Sequence, residues 1–549
     1  MLVSHISVGG GITGLESIIS TFSNIEKKLK KSKKKCAKLR YKKFIFAIVD
    51  KKPENIPGGV AYGYQNSKYG YFNNPIRLSP PSFVKWIMKK KNKNALIQYL
   101  DLHGGLTGKD WIRKNKKLLF SSSKLKLSEL YIPRALLNFW MEEKLINLVR
   151  EMKNLSKKLS IYFDVIFIKG EVIGIKNNFN KYNKIIFKDN SYEILKYSFK
   201  KNLFKKLKLN TLKKGKNNIY SITQNIGLGL PPPKQLAKNK ARSNKFYMWD
   251  FYSEGSTSKL ITKIISLKKK VKVIKIYFIG YKAGLLEALP ELKRRIKKDR
   301  IKIEMICSSS DLVGIQKAEL SLSKKKYFLN YFTTKRLRNI KTAYQLYISI
   351  SKEFELSVLY GFKKYDAWTN ILRKNILNKC IKNFSTKEKN LYNSIYHQKI
   401  RNITRFTYPE TIIARESLLK SKILKTKKET VKKIVLSKGK LIVSAQNKIN
   451  SKIRKYSCDL VINVSGPLNP KKITNEMPLV KSLKKNGAKI SNSGGFFVDK
   501  NFKIAGLKNI YAPGVLSNGF NPERKTIIKA ILENSNKTGI GIAKTLIGR

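Results

Sequence analysis

Cysteine and histidine are scarce in this chain of 549 residues. It has four cysteines, Cys36, Cys307, Cys380 and Cys458, and three histidines, His5, His103 and His397. The cysteines are far apart and form no CxxC pair, which argues against a disulfide framework or a zinc module and favours a reducing compartment. No Ser-His-Asp arrangement or metal cluster can be assembled from the sequence, so we predict no metal and assign no catalytic residue.

Long apolar segments are also missing. No uninterrupted apolar run approaches the roughly 20 residues of a membrane helix. The N-terminus enters an apolar strand pattern directly, without the basic stretch and apolar core of a secretory signal. Together with the isolated cysteines, this pattern predicts a cytoplasmic protein with no membrane span.

Acidic residues are few, with 34 Asp and Glu against 116 Lys and Arg, which gives a net charge of +82. Such a charge raises the possibility of a nucleic-acid partner. Lysine outnumbers arginine about five to one and is spread over the whole chain, whereas base readout and phosphate recognition favour placed arginines. The pattern indicates a general compositional bias, so we predict weak attraction to any polyanion and no specific nucleic-acid partner.

What is present suits a large α/β protein. The hydrophobic content of 42% is enough for two or three buried cores over this length. The first motif is "HISVGGGITGLESI" (5–18), in which an apolar run precedes Gly9, Gly11 and Gly14 and a helical pattern follows. A strand, a G-x-G-x-x-G turn and a helix in this order are typical of dinucleotide binding, although a glycine turn without a ligand is the alternative.

A second predicted strand, "KFIFAIVDKKP" (43–53), ends at Asp50. An acid at this place accepts hydrogen bonds from the ribose of a dinucleotide. A lysine-rich insertion at about 26–42 accounts for the long interval after the glycines, and a plain strand end is the alternative role for Asp50.

Later segments predict further elements. We expect a long helix from near Pro133 (131–159), two strands at 160–178, a hairpin turning at Asp189-Asn190 (182–198), a second strand–turn–helix unit at 271–295, and mainly helical structure from about 320 to 430.

Several blocks resemble the FAD/NAD(P)-binding flavoprotein family with two dinucleotide-binding domains, in particular its often uncharacterised bacterial branch. The order of the blocks carries the resemblance more than any single one does. They are "VGGGITGLE", "GGVAYG" (58–63), "FNNP" (72–75), "FVKWI" (83–87), "YIPRALLNFW" (131–140), "YMWDFY" (247–252), "DLVINVSGP" (459–467) and "NIYAPGVLSNG" (509–519).

The resemblance implies an α/β fold with two Rossmann-like domains, the FAD domain being discontinuous, and a largely helical insertion. The implied division is a first part of the FAD domain over 1–255, an NAD(P)-type domain over 256–320, a helical insertion with a hairpin over 321–450, and the return of the FAD domain over 451–549. It further implies that FAD is bound by residues of these blocks together with Asp50 and with Val172 of "GEVIGI" (170–175). The full set is Gly9, Gly11, Gly14, Asp50, Ala61, Tyr62, Asn73, Asn74, Arg134, Val172, Gly466 and Gly514.

The second glycine motif departs from the family pattern. Gly280 and Gly284 keep a turn possible, but Lys282 stands where the second glycine is expected, and "CSSS" (307–310) replaces a phosphate-binding arginine. NAD(P)H use is therefore the open part of the implied function. The alternatives are a FAD-dependent oxidoreductase, such as an NAD(P)H-using monooxygenase of a small metabolite, and a non-catalytic flavoprotein or binding module. The sequence does not indicate an oligomeric state.

Overall fold

The fold is described from a computed structural model. The structure describes residues 1–63, 69–121, 129–177, 182–199, 207–216, 218–228, 233–281, 283–308, 315–319, 321, 327–465, 477–490, 495–517 and 528–548. It is an α/β protein with two sheets that contain parallel strands, a three-stranded antiparallel sheet and a two-stranded ribbon.

The strands of the described residues are β1 Leu2–Val8, β2 Lys43–Asp50, β3 Tyr162–Lys169, β4 Val172–Asn177, β5 Asn183–Phe187, β6 Tyr192–Phe199, β7 Leu207–Gly215, β8 Ile219–Ile226, β9 Tyr247–Met248, β10 Val273–Ile279, β11 Lys302–Ser308, β12 Gln316–Lys317, β13 Phe406–Thr407, β14 Leu424–Lys427, β15 Glu429–Ser437, β16 Lys440–Asn447, β17 Ile453–Cys458, β18 Leu460–Asn463 and β19 Ile510–Tyr511. Helices separate β1 from β2 and β2 from β3, as expected for neighbouring parallel strands.

The helices fall into three groups: those around the first sheet, those around the second, and a block between β12 and β13. They are α1 Ile12–Lys30, α2 Lys33–Leu39, α3 Gly59–Tyr62, α4 Pro81–Ile87, α5 Lys90–His103, α6 Gly105–Phe120, α7 Leu136–Leu159, α8 Ser256–Lys268, α9 Ala283–Lys298, α10 Thr334–Asn339, α11 Ala343–Leu359, α12 Lys364–Arg373, α13 Ile376–Lys382, α14 Thr386–Leu391, α15 His397–Ile403, α16 Pro409–Lys420, α17 Pro478–Lys485 and α18 Ile528–Ile547.

The first sheet has the strand order β4-β5-β8-β1-β2-β3-β6-β7, and β19 also pairs with β8. Strands β8, β1, β2 and β3 are parallel, as are β8 and β19. The C-terminal helix α18 packs closely on α1, since a Cβ on Gly539 would lie 2.5 Å from the Ser20 side chain. The first unit is therefore discontinuous, because both termini of the chain contribute to it.

The second sheet has the order β14-β11-β10-β18-β9, and all its strand pairs are parallel. This is the arrangement of a Rossmann-like unit, with β10, the strand before the second glycine motif, in the middle. β18 belongs to this sheet, although the sequence placed it in the returning segment 451–549, and β14 joins it from the segment 321–450. The second unit therefore takes its strands from two separate segments of the chain, first β9 to β11 and later β14 and β18. After β18 the chain returns to the first unit.

One predicted connection is wrong. The segment 182–198 was expected to be a hairpin, but β5 pairs with β4 and β8, whereas β6 pairs with β3 and β7. Asp189 and Asn190 do form a sharp bend, with φ of 54° and 47°. The bend is a local property of these two residues, while the partners of the two strands are set by distant parts of the sheet.

The expected helical block is present over residues 334–403, together with α16, and the hairpin β15–β16, which turns at Gly439, lies in the segment 321–450 where a hairpin was expected. The block has its own apolar core, which includes Leu346, Ile350 and Phe354. Trp86 and Trp140 are 7% and 4% exposed and pack in the core of the first unit. Within the described ranges, no helix is both long and apolar enough to cross a membrane.

Candidate functional site

The first glycine turn follows β1 directly and leads into α1. Gly9 has a φ of +101°, and a Cβ there would lie 2.8 Å from the carbonyl oxygen of Gly227. Its backbone N–H donates to the Val49 carbonyl at 2.8 Å. Only glycine fits this position, because the backbone is left-handed and the end of β8 leaves no room for a side chain.

Gly14 and Gly11 face different surroundings. A Cβ on Gly14 would lie 2.2 Å from the Gly9 carbonyl oxygen and 2.5 Å from Ser7 Oγ, so Gly14 allows the helix to pack against the turn. A Cβ on Gly11 would lie 3.5 Å from Gly59 Cα, an ordinary contact. Close packing therefore requires a glycine at position 14, whereas the packing around position 11 does not require one.

The N-terminus of α1 is suited to an anion. Gly11 is the N-cap residue, no side chain caps the helix, and the first turn contains no acid. The backbone N–H groups of a first helical turn have no partner within the helix and carry the positive end of its dipole. A pyrophosphate is the ligand that this arrangement most often binds.

Asp50 lies beside this turn, at the end of β2. Its Oδ2 accepts a hydrogen bond from the Gly10 N–H at 2.8 Å, and its Oδ1 accepts one from the Lys52 N–H at 2.8 Å. Burial raises the pKa of this carboxyl above its usual value, against the effect of the two backbone N–H groups. Each carboxylate oxygen keeps a further lone pair, which is the acceptor that a ribose hydroxyl requires.

Two other predicted residues lie near this turn. A Cβ on Gly514 would lie 3.4 Å from the Leu228 carbonyl oxygen and 3.7 Å from Thr13 Cγ2, so this glycine faces the start of α1. Val172 begins β4, two residues after Gly170, whose N–H donates to the Asp50 carbonyl at 3.1 Å. Gly466 lies outside the described residues.

The second glycine turn, after β10, repeats the geometry of the first. Gly280 has a φ of +98°, and a Cβ there would lie 2.6 Å from Ser465 Cα at the end of β18. Its N–H donates to the Ser308 carbonyl at 2.6 Å, as the Gly9 N–H does to Val49. The two turns thus occupy equivalent places, each between the ends of two parallel neighbouring strands.

A further glycine follows each turn, in α1 and in α9. The Val464 N–H donates to the Ile279 carbonyl at 3.0 Å, and a Cβ on Gly284 would lie 2.8 Å from Val464 Cγ1. Gly284, four residues after Gly280, therefore makes room for the Val464 side chain, whereas Gly14, five residues after Gly9, makes room for the backbone of the turn itself. Lys282, between the two glycines, lies outside the described residues.

The loop of the predicted G-x-A-Y block folds back on the first turn. Gly59 begins α3 with a φ of +65°, and a Cβ there would approach Gly11 Cα to 3.1 Å. Ala61 is exposed, and Tyr62 is half-buried with its ring 6.5 Å from that of Phe72. Burial raises the pKa of Tyr62, while the nearby Arg134 acts in the opposite direction.

Arg134 forms an ion pair with Glu287 of α9, so it joins the first unit to the second. It also lies beside the hydroxyl of the partly buried Tyr252. Desolvation raises the pKa of this tyrosine, and Arg134 acts in the opposite direction. A Cβ on Gly70 would lie 2.3 Å from the guanidinium, so that glycine makes room for it. The role predicted for Arg134, contact with a phosphate or with the flavin pocket, stays a prediction.

The two asparagines of the predicted "FNNP" block contact the region around β13. The Thr407 hydroxyl donates to Asn73 Oδ1 at 3.1 Å, and the Tyr365 hydroxyl donates to Asn74 Oδ1 at 2.8 Å. These bonds join the loop of the first unit to the helical block. A contact of either residue with a flavin ring also stays a prediction.

Sequence reasoning missed the acidic and basic side chains of α9. Glu291 is fully buried and accepts hydrogen bonds from the Thr107 N–H at 2.9 Å and its hydroxyl at 2.8 Å, at the N-terminus of α6. Arg294 pairs with Asp110 of α6 at 2.5 Å. A usable signal was the i, i+4 spacing of Glu287 and Glu291 in a chain that has so few acids.

His5 has a structural role in the first sheet. It is fully buried in β1, with Nδ1 2.9 Å from the Thr223 hydroxyl. Burial lowers its pKa to about 3. The ring is therefore neutral at physiological pH and does not act as a base there.

Comparisons with known proteins agree with this architecture. No family model and no curated protein matches the chain. Among solved structures, it is similar to an ornithine N-hydroxylase of Kutzneria sp. 744 in complex with reduced FAD, NADP+ and L-ornithine, with a TM-score of 0.52, 10% identity and 99% of each chain covered. An L-lysine 6-monooxygenase from Pseudomonas syringae has a TM-score of 0.49 at 10% identity, with 99% of each chain covered.

The chain has the α/β fold of flavoproteins with two dinucleotide-binding domains. The ornithine N-hydroxylase structure has a TM-score above 0.5 against this chain. Because the two sequences are only 10% identical, this similarity concerns the fold alone.

Proposed function

We propose that this protein is a FAD-dependent oxidoreductase that takes electrons from NAD(P)H and acts as a monooxygenase on a small metabolite. FAD binds at the first glycine turn and the nicotinamide nucleotide at the second. The FAD-binding unit comprises residues 1–228 and 477–548, and the nucleotide-binding unit comprises residues 246–308 and 424–465. FAD and NADP+ are also named for the Kutzneria structure.

The single observation that carries this proposal is the pair of equivalent turns. Gly9 and Gly280 both follow a central parallel strand, both have a φ near +100°, and both donate to the neighbouring strand. Two such turns in one chain provide two dinucleotide sites, which hydride transfer from a nicotinamide to a flavin requires.

The residues around the first turn fit FAD. Position 11 has no packing reason to be glycine, the N-terminus of α1 faces the same place, and the Asp50 oxygens keep free lone pairs. Gly11 and α1 would hold the pyrophosphate, and Asp50 would hold the ribose. FAD, when bound, supplies the electron transfer, and the protein supplies its position and surroundings.

The second turn indicates a preference for the phosphorylated nucleotide. In the first unit, the Val49 carbonyl accepts the hydrogen bond of the glycine turn, and the next residue is Asp50. In the second unit, the Ser308 carbonyl accepts the corresponding bond, and the next residue in the sequence is Ser309. An acid at this place favours NAD, because it binds the ribose hydroxyl and repels a 2′-phosphate. A serine removes that repulsion, so we expect NADPH to be the better electron donor.

A non-catalytic flavoprotein is the second candidate. The observation that favours it is the sequence of the second turn, where Lys282 replaces the glycine that corresponds to Gly11. A side chain there obstructs the close approach of a pyrophosphate unless its charge compensates. Reduction of the flavin by a nicotinamide nucleotide separates the two candidates.

FAD binding is tested with two glycine variants. Gly11→Ala should leave the thermal stability of the flavin-free protein unchanged, because its Cβ meets only an ordinary contact, yet should weaken FAD binding at least about tenfold, or ~1.4 kcal/mol. Gly14→Ala should lower stability by about 1–3 kcal/mol, because its Cβ would overlap backbone. FAD fluorescence titration and thermal unfolding measure both; full FAD affinity in stable Gly11→Ala would contradict the proposal.

A further inference from the structure

One segment of the chain is much more basic than the rest. Residues 27–43 contain eleven Lys and Arg and no Asp or Glu, whereas Lys and Arg make up about one residue in five of the whole chain. The segment comprises the end of α1, helix α2 and the first residue of β2. The lysine bias of the whole chain therefore does not account for it.

The fold brings further cations to the same place. The Tyr41 N–H donates to the Ser160 carbonyl at 2.8 Å, which joins the start of β2 to the end of α7. The last turn of α7 contains Lys157 and Lys158, and both are exposed. Residues 27–43 together with Lys157 and Lys158 are called the basic patch below.

Stabilisation of helix ends explains only part of the patch. The last turn of α1 contains three lysines, which interact favourably with the negative end of the helix dipole. Eight further cations follow in residues 31–43, and Lys34 and Lys38 on α2 are exposed. The acid that precedes the segment, Glu26, pairs with Lys30 at 2.8 Å. The patch therefore carries more positive charge than these local roles require.

A nucleotide at the first glycine turn does not neutralise the patch. Strand β2 runs from Lys43 in the patch to Asp50 beside that turn, and its eight residues span about 23 Å. Exposed charges in physiological salt are largely screened beyond about 8 Å. The phosphates of a cofactor at the turn are thus too far away, and the patch is suited to a different anionic partner.

The side chains of the patch favour an anionic lipid surface as that partner. Ten of the eleven cations in residues 27–43 are lysines, whereas nucleic-acid recognition favours the planar fork of arginine. Attraction to anionic headgroups depends mainly on the number of cations near the surface. Tyr41 and Tyr162, at the same edge of the sheet, are 76% and 48% exposed, and tyrosine rings are favoured at the level of lipid headgroups.

We propose that the basic patch binds the surface of an anionic lipid bilayer, with the Tyr41 ring at the level of the headgroups. Strands β1, β2 and β3 are parallel, so the patch lies at the edge formed by their amino ends and the glycine turn lies at the opposite edge. A bilayer at the patch therefore leaves the glycine turn accessible. This inference goes beyond the proposed function and does not depend on it.

Sedimentation of the full-length protein with lipid vesicles measures the binding. The vesicles consist of phosphatidylcholine alone or of an equimolar mixture with phosphatidylglycerol, at about 0.1 M salt. We expect binding to the anionic vesicles to be at least about thirtyfold tighter. The triple variant Lys31→Glu, Lys34→Glu, Lys38→Glu should lose at least about thirtyfold in this affinity, because each lysine near an anionic surface contributes about fivefold.

The matched control is the triple variant Lys269→Glu, Lys270→Glu, Lys272→Glu. These lysines are exposed, precede β10 of the second sheet and give the same change in net charge. The control should bind anionic vesicles within about threefold of wild type, because screening confines the attraction to cations near the surface. Equal losses in the two triple variants would overturn the proposal, since total charge would then account for the binding.

Tyr41→Ser leaves every charge in place and should weaken binding to anionic vesicles about threefold, because the ring no longer contributes its amphipathic surface. Unchanged binding in this variant would refute the position of the ring. A single-stranded oligonucleotide is titrated into the same proteins. Loss of oligonucleotide binding in the Lys31, Lys34, Lys38 variant with unchanged vesicle binding would assign the patch to nucleic acid and overturn the lipid proposal.

Equal binding of wild type to neutral and anionic vesicles would also overturn it. FAD content is measured on the same samples. A protein that retains FAD but shows no preference for anionic vesicles refutes the basic patch and leaves the flavin proposal intact. A protein with the expected preference that never binds FAD supports the patch and refutes only the proposed function.

Discussion

At the scale of single residues, Asp50 holds the first glycine turn by accepting a hydrogen bond from the Gly10 N–H at 2.8 Å. Its position at the end of the second strand predicted an acid beside the glycine turn, and the structure places it there, bonded to the Gly10 N–H. The bond to Lys52 and the burial of the carboxyl were not predictable, because they depend on how the loop after β2 folds back. The ribose contact itself stays a prediction.

Burial of Asp50 predicts a specific pH dependence. Because burial raises the pKa of this acid, the folded protein binds the proton up to a higher pH than the unfolded chain, whose Asp pKa is about 3.9. Stability of the flavin-free protein should therefore fall as pH rises from about 4 through the raised pKa. Urea unfolding of wild type and Asp50→Asn between pH 4 and 8 isolates this contribution; parallel curves for the two proteins would contradict it.

Asn73 and Asn74 illustrate what one sequence does not reveal about residues. Their block was identified by order and resemblance, but their described partners, Thr407 and Tyr365, lie about 300 residues further along the chain. No local pattern predicts which side chain will meet which across such a distance. The same applies to the pairing of Arg134 with Glu287.

At the scale of elements, local patterns identified strands and helices more reliably than their partners. The strand–turn–helix units at both glycine motifs and the helical block are present. The hairpin expected at 182–198 is not, because β5 and β6 pair with distant strands. Strand β18, in the block "DLVINVSGP", takes its place in the second sheet by parallel pairing with β10, which sequence spacing does not encode.

Helix α9 is the element that fixes the second unit to the first. Glu291 accepts hydrogen bonds from the first turn of α6 and from Arg295 Nε at 2.9 Å. Because it is fully buried, Glu291→Gln should lower the free energy of unfolding by about 2 kcal/mol or more. Urea unfolding measures this change.

The matched control is Glu193→Gln, which removes a partly exposed ion pair with Lys169 on β3. Such pairs contribute no more than about 1 kcal/mol. Equal losses in the two variants would mean that the buried carboxylate at position 291 does not hold the two units together.

At the scale of the whole molecule, composition indicated an α/β protein without a membrane span. Among the described residues, no helix is long and apolar enough to cross a membrane. The four cysteines are free thiols, three of them buried. Location in the cytoplasm and the absence of a specific nucleic-acid partner stay predictions. The two units were predictable because each has its own glycine motif. The construction of the second unit from two separate segments of the chain was not predictable, because no sequence pattern marks it.

The two equivalent turns are proposed to bind a flavin and the nicotinamide nucleotide that reduces it. The most direct measurement is the visible absorption spectrum of the FAD-loaded protein under anaerobic conditions, before and after addition of NADPH or NADH. We expect the flavin bands to bleach, and to bleach faster with NADPH, because Ser309 replaces the acid that favours NAD. Flavin bands that persist with both nucleotides would contradict the account.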